Sequence, residues 1–412
     1  MANIPAPTKQ NTNTVVLHIS GPDRSGVTAG LCQALNDNNA ELLEIGQTVL
    51  HGYLTLSAIV KIPHHSAALL DILKRVSHWG LKLELEELLT HGSPNKAPIA
   101  GTLCITVLGG IHQNNALTQI LRFLSEKQIN LRDLKSLHLN ALTGLELIAD
   151  IPGHQSLSEE QMQNLRSELY HLGSELHVDI AAQRESIFRR NKRLICMDVD
   201  STFIPGEVID ILGEIQGCGE AIAKITSRAM NGEIPFEAAL RERVTLLKGL
   251  SVEKAQKRLS DLEPTADTQR MLKNMKKLGL KVGVVSGGFS FFVDKLKDRY
   301  NLDFAFSNTL EIDNGSFTGN LIGDIITADR KAQILAHMAQ AYQCPLLQCV
   351  AIGDGANDIP MLKAAGLGIA FQAKSKVQKA ADFPLNYHPM TALFNLMGYS
   401  ESEIRSLDDL AN

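Results

Sequence analysis

Leu194-Ile195-Cys196-Met197-Asp198-Val199-Asp200-Ser201-Thr202 reads as a buried strand that ends in acid. Four consecutive apolar residues suit a strand covered on both faces, and open parallel sheets present ligand-binding groups at the carboxyl ends of such strands. Asp198 and Asp200 stand at that end. If the strand continued, residues at i and i+2 would share a face and the two carboxylates would converge. That is costly unless a cation or a shared proton relieves it, and an ion of the Mg²⁺ type, which takes carboxylate oxygens, is the economical partner. Asp and Ser also favour turns, so the same letters fit an ordinary strand exit. The choice rests on the remainder of the chain.

Between Gly206 and Leu278 the hydrophobic period is helical, with helices predicted over 208–212, 221–230, 236–247, 252–259 and 268–278. The next apolar run, Val282-Gly283-Val284-Val285, is again a buried strand, and it ends in Ser286-Gly287-Gly288-Phe289. A hydroxyl followed by glycines at a strand end suits phosphate, because backbone N–H groups can approach closely. Asp313-Asn314-Gly315-Ser316 between alternating residues is a hairpin signal. Lys331 follows Asp329-Arg330 at the head of a helix. A last strand, Cys349-Val350-Ala351-Ile352-Gly353, ends in Asp354-Gly355-Ala356-Asn357-Asp358.

These four stretches, in this order, resemble the motifs of the haloacid dehalogenase superfamily of phosphohydrolases: D-x-D-S-T at Asp198, the Ser286 turn, Lys331, and the G-D-G-x-N-D pattern at Gly353 to Asp358. The resemblance implies an α/β fold, a doubly wound Rossmann-like parallel sheet in a domain over 185–400 with a helical cap inserted at about 206–278. It implies catalysis by Asp198, Asp200 and Lys331. Asp198 would be the nucleophile that forms an aspartyl phosphate, and Asp200 the acid and base that serves the leaving alkoxide and then the attacking water. Lys331 would neutralise Asp198 and a phosphate oxygen. Asp198, Asp354 and the backbone carbonyl of Asp200 would hold Mg²⁺, with Asp358 orienting a metal-bound water. Ser286, Gly287 and Asn357 would bind the phosphate or shape its loop.

The cap string Phe236-Glu237-Ala238-Ala239-Leu240-Arg241-Glu242-Arg243-Val244-Thr245-Leu246-Leu247, with Glu207 nine residues after Asp198, is similar to the phosphoserine phosphatase branch of that superfamily. Phe236, Leu240, Val244 and Leu247 form the apolar stripe of a helix, and Arg243 borders it. The bare reading of such an arginine is a stem packed on the stripe with its head in water. The resemblance implies instead that Arg243 pairs a substrate carboxylate and Glu207 its ammonium, with Phe236 beside them. Transfer to a second alcohol rather than to water would use the same residues, and product analysis with and without acceptor separates the two. A regulator with an idle catalytic domain is the reading from another class, and the intact set Asp198, Asp200, Ser286, Lys331 and Asp354 argues against it.

The N-terminal half is a duplication. Val27 and Ala116 open helices, Pro63 and Pro152 close strands, and each pair is 89 positions apart. Both copies follow a ferredoxin-like alternation of strands and helices, over 14–92 and 100–180, joined by a linker at 92–98. Gly21-Pro22-Asp23-Arg24-Ser25-Gly26-Val27 in the first copy looks like the opening of ACT domains, which implies an amino-acid effector at Asp23, Arg24, Gly26 and Val27. Without that resemblance Asp23 and Arg24 would simply cap and solvate a helix start. The second copy has Gly109-Gly110-Ile111-His112-Gln113-Asn114-Asn115 instead, which favours a structural or dimerising role.

At 412 residues and 44% hydrophobic content the chain has ample core for two or three domains. A net charge of −5 with a pI near 6.2 argues against nucleic acid or an acidic membrane as partner. Cys32, Cys104, Cys196, Cys218, Cys344 and Cys349 form no CxxC pair, and free thiols fit a reducing cytoplasm. The first residues lack a basic-then-apolar leader, and residues up to about 13 read as a loose polar arm. The expectation is a cytoplasmic homodimer acting on a small molecule.

Overall fold

The computed structural model describes residues 12–63, 66–87, 99–110, 115–138, 143–153 and 156–410. The linker at 92–98, most of the arm and residues 111–114 of the second-copy loop lie outside them. The chain falls into two compact units, 1–97 and 98–412.

The first unit is one ferredoxin-like layer pair. Strands β1 (Thr12–Pro22), β2 (Glu41–Leu50), β3 (Tyr53–Pro63) and β4 (Lys82–Glu87) form an antiparallel sheet in the order β2-β3-β1-β4. Leu54, Leu56, Ala58, Val60 and Ile62 of β3 alternate inward. They meet Val27, Leu31, Ala34 and Leu35, which line one stripe of the helix Val27–Asp37.

The second unit begins with the duplicate. Strands β5 (Ile99–Leu108), β6 (Asn130–Ser136), β7 (Gly144–Pro152) and β8 (Asp179–Arg184) pair in the order β6-β7-β5-β8, with helices Ala116–Glu126 and Glu159–Leu176. The repeat extends to a bulge: register shifts between Leu42 and Glu44 in β2 and between Leu131 and Asp133 in β6, again 89 positions on.

The second sheet of this unit holds β9 (Leu194–Met197), β10 (Lys281–Phe289), β11 (Phe304–Asp313), β12 (Ser316–Ile322), β13 (Cys349–Gly353), β14 (Leu367–Phe371) and β15 (Phe383–Leu385). Their order is β12-β11-β10-β9-β13-β14-β15, parallel throughout except for β12, which returns along β11 as a hairpin. Strands β9, β13 and β14 are buried at every position, as runs of apolar residues require. From β9 the chain builds outward through β10 to β12 and then returns to β13 on the other side of β9. The order therefore reverses at β9 and β13, and the crevice beyond their carboxyl ends is where an open α/β sheet binds ligands.

Four helices between β9 and β10, Val208–Gln216, Gly219–Met230, Phe236–Thr245 and Val252–Ser260, make the cap. The helix after them, Thr268–Lys277, packs on β10 and on the terminal helix Glu401–Asp409, where Arg270 and Asn274 both reach Asp408.

The second module is locked to the seven-stranded sheet by buried and half-buried polar groups. Asp179 on β8 is 1% exposed and accepts from Asn386 N–H at 2.9 Å, Tyr387 N–H at 3.0 Å and His388 Nδ1 at 2.8 Å. Arg166 pairs with Asp382 at 2.6 Å, and Gln183 Nε2 donates to the Leu396 carbonyl at 3.1 Å. Asp179→Ala would leave two backbone donors without an acceptor, so urea unfolding should show a loss of about 2–3 kcal/mol. Asp179→Asn, which keeps an acceptor oxygen, should lose less.

Candidate active site

Strand β9 does not run on through Asp200. β9 stops at Met197, and Val199–Phe203 form one wide turn in which Ser201 takes a left-handed conformation at φ 55°. Asp198 and Asp200 therefore do not converge as strand neighbours. Asp198 Oδ1 accepts the Val199 N–H at 2.7 Å and its Oδ2 lies 2.8 Å from Lys331 Nζ. The Asp200 carboxylate points elsewhere, accepting the Val208 N–H at 2.8 Å and the Ser286 hydroxyl at 3.3 Å. It thus satisfies a free N–H at the start of the first cap helix, an end that needs an acceptor.

Lys331 is fully buried between Asp198 and Asp358, whose Oδ1 is 2.7 Å from its ammonium. Burial alone would push this lysine down, but the two carboxylates overcome it and hold the ammonium charged. Asp358 Oδ2 in turn accepts the Gly355 N–H at 2.9 Å. A Cβ at Gly353 would sit 2.5 Å from the Asp358 carboxyl, and one at Gly288 2.9 Å from both Asp200 Oδ2 and Ser286 Oγ. A side chain at either place would push those groups out of position. Asn357 lies half-buried in the short turn Ala356–Asp358.

Carboxylate oxygens of Asp198, Asp354 and Asp358 come within 4.8 Å of one another. One ammonium faces these three and the nearby Asp200, so negative charge is in excess. Burial accordingly pushes Asp200 up and Asp354 up to about 6, the neighbouring Asp358 adding to the latter. An all-oxygen, over-charged set fits a divalent cation. Each of the three already accepts hydrogen bonds, Asp198 from Val199 and Lys331, Asp354 from Thr202 and Asp358 from Lys331 and Gly355, and each keeps lone pairs for an ion.

Over this base the cap lowers Phe236, whose ring tip lies 3.6 Å from where a Gly287 Cβ would be. Arg243 donates to the Ala239 carbonyl and to Thr226 Oγ1, each at 3.3 Å, and makes no ion pair among the described residues. Burial lowers its pKa, opposed by Glu207 and Asp210, and the guanidinium stays charged. Glu207 accepts from Ser201 Oγ at 3.3 Å. It keeps an exposed surface, yet the crowded mouth and then Asp200, Asp354 and Asp210 push its carboxyl up to about 7.

In the first unit Asp23, Arg24 and Gly26 are exposed on the loop after β1, and Val27 is buried. Asp23 does not cap the helix: Gly26 holds the N-cap at φ 95°, and the backbone of Asp23 bonds to Gly52.

Two residues that hold the site escaped the sequence reading. Thr202 donates to Asp354 Oδ1 at 3.0 Å, and the D-x-D-S-T stretch itself could have flagged it. Asn308 on β11 holds the Gly287 carbonyl at 2.7 Å, and nothing in its local pattern announces that.

A strand that ends in Asp198, a buried lysine and a carboxylate cluster at the reversal point of a capped parallel sheet define a hydrolase of the haloacid dehalogenase type. The model of the haloacid dehalogenase-like hydrolases matches residues 192–366, and that of the ACT domain residues 13–86. Phosphoserine phosphatase of Streptomyces coelicolor is 36% identical over 400 residues, spanning 97% of this chain and 95% of its own. Phosphoserine phosphatase SerB2 of Mycobacterium tuberculosis is 35% identical over 402 residues, spanning 96% and 95%. The unliganded crystal structure of a probable phosphoserine phosphatase from Vibrio cholerae superposes with a TM-score of 0.54 at 30% identity, covering 76% of this chain and 90% of that one. The chain belongs to the phosphoserine phosphatase family. No helix among the described residues is long and apolar enough to cross a membrane.

The charge excess has a thermal consequence. A divalent cation at about 100 times its Kd should stabilise the protein by about 2.7 kcal/mol over a chelated sample. Asp354→Asn should abolish most of that shift in a thermal unfolding series. A variant that keeps the full shift would place the cation elsewhere.

Proposed function

We propose that this protein hydrolyses O-phospho-L-serine to L-serine and phosphate in the presence of Mg²⁺, the last step of serine biosynthesis. The observation that carries the substrate is Arg243, a charged guanidinium in the cap resting on two neutral acceptors, with Glu207 as its acidic counterpart at the same mouth. Phosphoserine has one carboxylate and one ammonium beside its phosphate, and the relatives bear that name.

Asp198 attacks phosphorus, the bond to the serine oxygen breaks, and Asp200 gives its proton to the departing alkoxide. Burial suits Asp200 to carry that proton. Water then gives a proton to Asp200 and attacks the aspartyl phosphate, releasing phosphate and restoring Asp198. Lys331, Ser286 and the backbone at Gly287 meet the phosphoryl oxygens, and Asn357 shapes the opposite rim. Asp198, the backbone carbonyl of Asp200 and Asp354 would hold the Mg²⁺, with Asp358 orienting its water; bound there, the ion offsets the charge of the transferring group.

The ACT-like first module is the proposed effector site, with an amino acid seated near Asp23, Arg24, Gly26 and Val27. Homodimerisation is supported by β2, an edge strand that exposes Leu43, Ile45, Val49 and Leu50, whereas its duplicate β6 shields its edge with Arg132, Asp133 and Lys135. A cytoplasmic location agrees with the six free thiols.

Phosphate release from a panel of phosphomonoesters tests the assignment. Arg243→Ala should lose about thirty-fold or more in kcat/KM on phosphoserine, the cost of leaving a desolvated charge without its partner. It should change little on a phosphomonoester without a carboxylate, and Arg243→Lys should recover only part. If Arg243→Met behaves like wild type on phosphoserine, the arginine only packs and phosphoserine is not the preferred substrate.

Glu207 must be ionised to hold an ammonium, and its carboxyl is pushed up to about 7. As pH falls through that value the group takes a proton and its attraction is lost. kcat/KM for phosphoserine should therefore decline on the acid side, more steeply than for the analogue lacking the amine. Glu207→Gln should erase the difference between the two profiles.

A further inference from the structure

The ladder between β10 and β11 runs in register from Gly283 opposite Phe304 to Val285 opposite Phe306, then breaks, and resumes at Phe289 opposite Asn308. Ser286, Gly287 and Gly288 leave the sheet in between, as a bulge beside a ligand site does. A bulge deprives backbone groups of their ladder partners, and buried carbonyls need replacements. Asn308 supplies one: its side chain is 2% exposed, and Nδ2 donates to the Gly287 carbonyl at 2.7 Å. Its Oδ1 accepts the Ile326 N–H at 2.8 Å. The amide orientation is unambiguous, because a backbone N–H can only donate and a carbonyl can only accept.

The Gly287 carbonyl and the Gly288 N–H belong to one planar peptide. That N–H donates to Ser286 Oγ at 2.7 Å, and Ser286 Oγ donates onward to Asp200 at 3.3 Å. Clamping the carbonyl end therefore fixes the N–H end, and with it the rotamer of Ser286. Ile326, on the other arm of the same amide, lies just before the helix Ala328–Ala341 that carries Lys331. One buried side chain thus ties the Ser286 turn to the segment that delivers the lysine.

We propose that Asn308 is a positioning residue of the phosphoryl site, acting through the Gly287–Gly288 peptide on Ser286 and through Ile326 on the entry to the Lys331 helix. It does not touch substrate. This rests on the phosphatase reading and deepens it: an oxygen of the transferring phosphoryl group finds its donors in place only while the bulge is clamped.

Asn308→Asp keeps the shape of the side chain and the acceptor for Ile326 but replaces the donor to Gly287 with a carboxylate oxygen. Asn308→Leu keeps the approximate volume and offers neither. With both variants folded by thermal unfolding, kcat should fall on the order of 10²-fold in each, as displacement of a catalytic contact does, while KM changes little. Combined with Ser286→Ala, Asn308→Asp should add almost nothing to the loss from Ser286→Ala alone, since it keeps the Ile326 acceptor and breaks only the arm that acts through Ser286, whereas Asn308→Leu, which also frees the Ile326 N–H, should add a further loss. A leucine variant with near wild-type kcat, or an aspartate variant whose loss multiplies with that of Ser286→Ala, overturns the proposal. If neither variant folds, Asn308→Ser, a smaller polar replacement, carries the same kcat and coupling measurements. A wild-type protein inert toward every phosphomonoester would defeat the phosphatase reading itself, whereas an active wild type with unaffected variants defeats only the role of Asn308.

Discussion

The ammonium of Lys331 is the contact on which this site depends. Three elements far apart in the chain meet at it: the end of β9 through Asp198, the turn after β13 through Asp358, and the helix Ala328–Ala341 that carries the lysine. Fully buried lysines are rare, and removing one member of a buried charge set leaves the others uncompensated. The sheet order makes the meeting possible, since β9 and β13 are neighbours only because the chain returns to the far side of β9. Even so, one positive charge does not balance the surrounding carboxylates. Burial pushes Asp200 and Asp354 up, Asp358 adding to the push on Asp354, and a divalent cation would oppose that push.

Much of this was legible in the sequence, and the reasons differ by residue. β9, β10 and β13 are continuous apolar runs that end in polar residues, a pattern that buried parallel strands impose on any sequence. The duplication was visible as a constant offset, and the structure carries it to the bulges in β2 and β6. What strand periodicity could not give was the conformation after Asp198. The turn at Val199–Phe203 needs a left-handed Ser201, and a non-glycine residue does not advertise that. Asn308 and Asp179 were illegible for another reason: their partners lie in strands or loops far away in sequence, and a single polar residue carries no record of the carbonyl or N–H it will meet. The apolar stripe of Phe236–Thr245 was readable at Leu240 and Val244, which are buried, but Phe236 is exposed above Gly287 instead of packing on it, and whether Arg243 packs or points depends on an acceptor contributed by another helix.

The two copies of the repeat show how one architecture can take two attachments. In the second, Asp179 on β8 receives the loop that follows β15, and Arg166 and Gln183 extend the seam, so this module shares a unit with the catalytic sheet. The first forms a unit of its own, with an exposed loop at Asp23 to Gly26. A module held by buried polar groups contributes rigidity. Each module has its own hydrophobic core, so the polar seam is what sets the second apart.

The base and the cap are built on opposite principles of hydrogen bonding. In the base, the oxygens of Asp198, Asp200 and Asp358 face backbone N–H groups, a buried ammonium or a short hydroxyl, all held by the sheet and its turns. Such donors need no reorganisation when charge shifts during reaction, which is where preorganised sites gain rate. In the cap, Arg243 and Glu207 rest on neutral partners: a carbonyl, a threonine hydroxyl and a serine hydroxyl. A neutral acceptor holds a guanidinium less strongly than a carboxylate does, so an incoming carboxylate can replace it at a net gain. Exchangeable partners therefore sit in the cap, where the proposed function has the substrate chosen, and fixed ones in the base. The Ser201–Glu207 contact joins the two, because Ser201 is the left-handed residue of the turn that follows Asp198. A substrate ammonium that captured Glu207 would release that hydroxyl, and the choice of substrate would be felt one turn from Asp198.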